Sequence, residues 1–406
     1  MHRFWAFLRT HPRLLLFGTL LTFFSSYGQT FLISLYIPAI EQFFGFTNTG
    51  LSSLYAVATM ASAFSLPWIG RLLDTAPLRR FTLWVVAGLS AACLTLSAAV
   101  HPGLVLLGFF GLRLCGQGLM SHTAISTMAR AFEADRGKAI SIAMLGHPLG
   151  EATLPLIVTL LVGAWGWRGS LQWSALSLVV LVAPLVVWLL RSQPAVLLFP
   201  KQATDEVQPK APNPLRVLTQ RAFWVIAPAI FITGFLNTAL FFYQFKLGDS
   251  RGWEPTWVAL SLSIYAIASA LSLLSSGPLV DQLSARRLFP FILLSYTLGF
   301  LVLALVKHPL SYPAALVLIA ISNGGGGTIK NSVYAEVFGT ALIGTVRSVF
   351  TTVTVFSTAL GPLFFGLLLD AGWTYGQTFL LCVGVLVGII AWSFMLWRLP
   401  AAEGRG

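Results

Sequence analysis

Two stretches, Gly70-Arg-Leu-Leu-Asp74-Thr-Ala-Pro-Leu-Arg79-Arg80 and Gly277-Pro-Leu-Val-Asp281-Gln-Leu-Ser-Ala-Arg286-Arg287, share five residues at identical spacing, 207 positions apart. The same offset pairs Tyr36 with Tyr243, Gly118 with Gly325, Gly137 with Gly344 and Pro155 with Pro362. A match this regular at half the chain length means that the fold is two copies of one unit.

Composition says what kind of unit. Of 406 residues, 56% are hydrophobic and only 9% charged, against about 25% charged in ordinary soluble proteins. So few charges cannot cover a soluble particle of this size. A soluble enzyme, a secreted disulfide scaffold, a disordered chain and a nucleic-acid binder are therefore excluded. The chain is an all-α polytopic membrane protein, because backbone groups in lipid must be paired within their own segment. The short alternating segments of a barrel are absent from the sequence.

Twelve apolar runs are predicted as spans: 14–37, 50–70, 81–100, 103–130, 139–163, 170–190, 222–245, 257–278, 288–306, 312–337, 347–370 and 377–397. The first is too long for a signal-peptide core. Between the sixth and seventh lies a polar stretch with Lys201, Asp205, Glu206, Lys210 and three prolines at 209–214, which reads as a flexible linker. The expected organisation is a six-helix bundle over 1–190, a linker over 191–221 and a second six-helix bundle over 222–406.

The formal net charge of +12 has a topological explanation. With both termini inside, nineteen Lys and Arg fall on the inner side, and Arg168, Lys246, Arg251 and Lys307 on the outer side. This bias sets both termini in the cytoplasm of a multi-pass protein of the cell membrane. Cys93, Cys115 and Cys382 each sit within an apolar run with no ligand spacing, so they read as small buried hydrophobes, and neither a disulfide framework nor a metal site is expected.

The doubled loop, the twelve spans and the six-plus-six division resemble the major facilitator superfamily, whose two pseudo-symmetric six-helix bundles carry substrate between them. The resemblance covers nearly the whole chain. It implies a gating role for Gly70, Asp74, Arg79, Arg80, Gly277, Asp281, Arg286 and Arg287: the glycine permits close helix approach, the aspartate meets a helix N-terminus or an arginine, and the arginine pair completes the cluster. The family's usual arginine directly after the aspartate is here Thr75, and Gln282 in the second copy.

Ionisable residues inside spans are costly and are functional candidates by default. They are Arg113, His122, His147, Glu151 and Lys330. A buried Arg113 requires an internal carboxylate or a bound anion, and Gln117 lies four residues on, on the same face. Arg113 followed by glutamine and glycine resembles the family's fourth span. His147 and Glu151 lie one turn apart in Gly146-His-Pro-Leu-Gly-Glu151, a pair placed to exchange a proton. His122 falls about 180° from Arg113 on an ideal helix. Lys330 follows four glycines, 324–327, which weaken a helix or admit a close neighbour; Asn323, Lys330 and Tyr334 share its face. In the family, spans 1, 4, 7 and 10 line the cavity, which implies that Lys330 faces Arg113 across it, with Tyr27, Gln29 and Asn237 as further lining.

Arg113 and Lys330 against Glu151 leave the core net positive, which favours an anion held by a bidentate arginine. The segment from Arg130 to Pro155 is similar to carboxylate-carrying branches of the superfamily, including monocarboxylate and oxalate–formate porters, although those branches carry a basic residue in span 8 and this span has none. The expected function is secondary active transport of a small organic anion, coupled to protons. Proton-linked efflux of drugs or metabolites is the alternative; 31 Phe and the span-5 sequence echo drug antiporters. A membrane sensor or enzyme is a remote third, since no triad, metal cluster or phosphate-binding loop is present. The expected partners are substrate, protons and lipid, with no nucleic acid, nucleotide or cofactor, and the chain is expected to work as a monomer.

Overall fold

The computed structural model describes residue 7 and residues 10–132, 135–191, 215–339 and 342–398; among these there are helices and short turns and no strand. Nine stretches of the described residues are long and apolar enough to cross a bilayer. One of them, Arg136–Leu190, is interrupted at Gly166 (φ 68°, ψ 172°) and supplies two helices. Two more escape that count, because the first helix is cut into pieces and Ser311–Phe338 is diluted by polar residues and glycine. The total is the expected twelve.

In chain order, α1 is assembled from Pro12–Phe24, a 3₁₀ turn Ser25–Gly28, Thr30–Ile33 and Ile37–Phe44. Then come α2 (Asn48–Gly70), α3 (Leu78–Ser97) and α4, which runs Pro102–Gly111, Leu112–Met120 and Ser121–Ala131. Helices α5 and α6 occupy 136–165 and 167–190. The second half has α7 (Arg221–Ser250), α8 (Pro255–Leu283), α9 (Ala285–Leu305), α10 (Ser311–Phe338), α11 (Ile343–Asp370) and α12 (Tyr375–Ser393).

Helix boundaries repeat with the sequence. The starts at Asn48 and Pro255, at Leu78 and Ala285, and at Arg136 and Ile343 are each 207 residues apart, as are the ends at Ala131 and Phe338. The chain divides into two compact units: Met1–Phe46 with Ser53–Asp205, and Thr47–Ser52 with Glu206–Gly406. Of the expected linker, residues 192–214 lie outside the described part.

Each unit holds its helices by small residues at crossings, as expected where burial from lipid supplies no driving force and close backbone approach must do so. In the first unit, a Cβ on Gly146 would strike Thr22 and the Thr19 carbonyl of α1, and one on Gly150 would strike Ser26. In the second, a Cβ on Gly361 of α11 would strike the Phe235 carbonyl of α7, and one on Gly324 of α10 the Ser269 carbonyl of α8. The glycine run 324–327 thus serves close approach and does not unwind α10, which is continuous.

The expectation of a continuous first span over 14–37 is overturned. Helix geometry is lost at Gln29 (φ −83°, ψ 148°) and the helical course extends to Phe44. Two causes are local: the Ser25 hydroxyl donates to the Thr22 carbonyl at 2.6 Å and Ser34 to Phe31 at 2.8 Å, bonds that compete with the helix ladder. Pro38 then opens the last piece at a position where its missing N–H is harmless.

Candidate functional site

The break in α1 lies against an irregularity in α4. Residues Leu112–Met120 are wound as a π-helix, a form found mostly as short bulges at functional sites. Gly28 and Gly116 meet there. A Cβ on Gly116 would stand 2.7 Å from the Gly28 Cα, and one on Gly28 would fall on the Leu112 carbonyl. No residue larger than glycine fits either position, so the two backbones touch where both depart from α-geometry.

Arg113 emerges from this π segment and is 5% exposed. Its guanidinium stands 5.4 Å from the Tyr55 ring centroid, and Nη1 donates to Thr30 Oγ1 at 3.4 Å. Thr30 Oγ1 and the Tyr55 hydroxyl are 2.7 Å apart. The Arg113 Nε is buried without an acceptor. Of the two expected counter-charges, an internal carboxylate or a bound anion, the first is not found among the described residues. A cation-π contact and one long hydrogen bond are thin compensation for a guanidinium taken out of water.

Three other expected residues lie in this unit. Tyr27 is buried, its hydroxyl 3.1 Å from that of Ser177 on α6, so it ties helices together. Gln29 occupies the extended break, and Gln117 lies half-buried in the π segment. With the wider turn of a π-helix, Gln117 no longer lies directly above Arg113.

His147 and Glu151 project from α5, which the glycines at 146 and 150 press onto α1. No hydrogen bond joins His147 to Glu151; Nδ1 of His147 is 3.3 Å from the Ser25 hydroxyl and Nε2 3.5 Å from that of Ser121. Both ring nitrogens are therefore oriented by serines of α1 and α4. Glu151 is half-buried, with no hydrogen bond or ion pair to the described residues.

The second unit contains a cavity of about 420 Å³ between α7, α10 and α11. Four residues singled out from sequence line it together: Asn237, Asn323, Lys330 and Tyr334. Asn323 Nδ2 donates to Asn237 Oδ1 at 2.7 Å and to the Tyr265 hydroxyl at 2.9 Å. Lys330 Nζ donates to Thr233 Oγ1 at 3.0 Å and forms no ion pair among the described residues. Tyr334 stacks on Phe350 of α11, ring centroids 4.6 Å apart and 7° from parallel. Thr233 and Tyr265 were missed by the sequence reading, since a hydroxyl in an apolar run gives no signal of its own. Arg347 was missed because, as the first residue of the predicted eleventh span, it was counted with the inner-side charges; α11 begins four residues earlier and carries it into the lining.

The duplicated loops differ in detail. Asp74 pairs with Arg130 of α4, whose Nη1 also donates to the Leu73 carbonyl at 3.4 Å. Arg79 and Arg80 are exposed and take no part, which corrects the expected cluster: its base comes from α4, not from the loop. Gly70 lies against the His122 ring, where a Cβ would stand 3.3 Å from Nε2, whereas a Cβ on Gly277 meets open space. Close approach is thus a property of the first copy only. In the second copy the Asp281 side chain lies outside the described part. Glu336 of α10 accepts from the backbone N–H groups of Ala285 at 2.9 Å and Arg286 at 3.0 Å. That bond set holds Ser284 at φ 64°, a strained angle for any residue but glycine. Arg286 donates to the Leu396 and Trp397 carbonyls at 2.8 and 3.0 Å, and Arg287 is exposed.

Two repeated six-helix units of membrane-spanning helices, each with an unpaired cation among polar side chains, define a solute carrier of the polytopic type. The sequence matches the Major Facilitator Superfamily over residues 15–357, and the chain belongs to that family. It is a multi-pass membrane transporter. Its fold is similar to a bacterial homologue of the human lysosomal transporter Spinster, in an inward-facing and unoccupied conformation (TM-score 0.71, 15% identity, 96% of this chain and 97% of that one). It is also similar to the nucleoside transporter NupG (TM-score 0.69, 13% identity, 96% and 99%). No curated protein matches the sequence.

Proposed function

We propose that this transporter moves a small organic anion, a carboxylate, by alternating access and couples that movement to protons. It works as a monomer in the cell membrane with both termini cytoplasmic, needing no cofactor, nucleotide or nucleic acid. The orientation rests on the nineteen-to-four division of Lys and Arg.

The observation that carries the reading is Arg113. A guanidinium stays charged in proteins, and one that is 5% exposed with an orphaned Nε and no ion pair among the described residues lacks the counter-charge its burial demands. A carboxylate substrate supplies one in bidentate geometry. Lys330 gives the second unit its own cation facing a cavity. Gln29, Gln117 and Tyr27 in the first unit, and Asn237, Asn323 and Tyr334 in the second, provide polar and aromatic surface beside these charges. Glu151 and His147 are the proton carriers: both titrate, and serines on two other helices fix the imidazole. Asp74 with Arg130, and Glu336 on the Ala285–Arg286 backbone, hold the loop copies in one state of the cycle; Gly70, Arg79, Arg80, Gly277, Asp281, Arg286 and Arg287 belong to the same loops.

Uptake of labelled carboxylates into proteoliposomes under an imposed pH gradient tests the reading. Gradient-driven uptake lost in Arg113→Ala and in Lys330→Ala is the expected result. Uptake that survives both substitutions refutes the anion, and uptake indifferent to the gradient refutes the coupling.

A further inference from the structure

The cavity of the second unit carries more positive charge than one carboxylate requires. Besides Lys330 it is lined by Arg347, and its remaining polar surface is threonine hydroxyl, asparagine amide and the Tyr334 phenol, with no Asp or Glu among the described lining residues. Arg347 makes no hydrogen bond or ion pair with the described residues and lines the same cavity as Tyr334. The stack of Tyr334 on Phe350 sets the register between α10 and α11. Lys330 lies one turn from Tyr334, and Arg347 three residues from Phe350 on the opposite side of the stack. At about 1.5 Å per residue the two Cα atoms are separated by roughly 10 Å along the helices. Two long side chains extending from that separation can reach the two ends of a short diacid held in the cavity that both line. The face of α11 between them presents Thr351 and Thr354, hydroxyls able to donate to a second anionic group.

We propose that Lys330 and Arg347 together bind a small dianion, one negative group to each, and that Arg347 is the residue that separates dianionic from monoanionic substrates. This rests on the reading of the protein as an anion transporter and narrows it. The recognised chemistry is two negative charges on a compact skeleton, which a dicarboxylate or a phosphate monoester carries equally.

The test is binding to the purified full-length protein in detergent, by calorimetry, with succinate, monomethyl succinate and glycerol 3-phosphate as probes. Succinate and its monoester share a skeleton and differ by one charge. The expected result is that succinate or glycerol 3-phosphate binds at least tenfold more tightly than the monoester, the tighter of the two identifying the source of the dianion. Arg347→Gln should then remove the preference, bringing dianion affinity to within about twofold of the monoester's, and Arg347→Lys should keep most of it. An unfolding midpoint equal to that of the wild type shows that the glutamine variant is folded, which is expected because Arg347 is exposed and supports no other side chain. Equal binding of succinate and monoester by the wild type overturns the dianion while leaving the anion reading intact. A preference that persists in Arg347→Gln overturns the role of Arg347. Failure of all three probes to bind overturns both readings.

Discussion

Replacing Arg113 with methionine should make the protein more stable and inactive at the same time. The wild-type guanidinium carries a buried Nε without an acceptor, a defect that costs about 1–3 kcal/mol. Substituting buried ions with apolar residues of similar volume is often worth about 1–4 kcal/mol in itself. Against this stand the contact with the Tyr55 ring, worth about 0.5–2 kcal/mol, and a hydrogen bond to Thr30 stretched to 3.4 Å that contributes about 1 kcal/mol or less. The balance favours Arg113→Met by about 1–3 kcal/mol. The assay is thermal unfolding of the purified variants with and without anion. A substrate at one hundred times its Kd adds about 2.7 kcal/mol to the wild type and nothing to the variant, so the stability order reverses when anion is present. A methionine variant less stable than the wild type would show that Arg113 is a structural strut between α1, α2 and α4. A variant still stabilised by anion would refute its role in binding.

Further expectations follow from the packing. Gly28→Ala must separate α1 from α4, because its Cβ coincides with the Leu112 carbonyl; a loss of about 3 kcal/mol is expected. Gly277→Ala, in open space on a helix, should gain up to about 1 kcal/mol, and the pair is read by unfolding midpoints. Ser284→Gly relieves the positive φ and should stabilise the second unit by about 1 kcal/mol. The Asp74–Arg130 pair is half-exposed, so Asp74→Arg should change stability by less than about 1 kcal/mol yet slow transport, and adding Arg130→Asp should restore the rate.

The features legible in the sequence were those carried by repetition and by charge. Twelve apolar runs and the doubled loop gave the helices, and charges that do not belong in lipid pointed to Arg113 and Lys330. Asn323, Lys330 and Tyr334 were grouped by helical spacing alone, and that succeeded because α10 is a regular helix. The same reasoning failed for Gln117, where the π winding changes the angle per residue, and for α1, where serine hydroxyls and a glycine pressed against another backbone end the helix. His147 was paired with Glu151 by the same arithmetic, but the Ser25 and Ser121 hydroxyls come from other helices and leave no mark on local sequence. Arg130 and Glu336 were invisible for a related reason: each acts on a loop more than fifty residues away in the chain or on its backbone, a contact that spacing within one helix cannot express.

Duplication supplied the scaffold, and the charges are departures from it. The residue 207 positions after Arg113 is Ala320, and the residue 207 before Lys330 is Thr123. Gly28 corresponds to Phe235, inside an α7 that runs unbroken from Arg221 to Ser250. The first unit therefore holds its cation in irregular backbone with both ring-face and hydroxyl contacts, and the second holds its cation on regular helices around an open cavity. A cation fixed by broken helices has one position available, whereas Lys330 and Arg347 sit on long side chains with rotamers to spare. Truncating Arg113 should lower affinity for every anion tested alike, and truncating Arg347 should alter only their ranking. Equal losses across the panel for both variants would contradict this division between the halves.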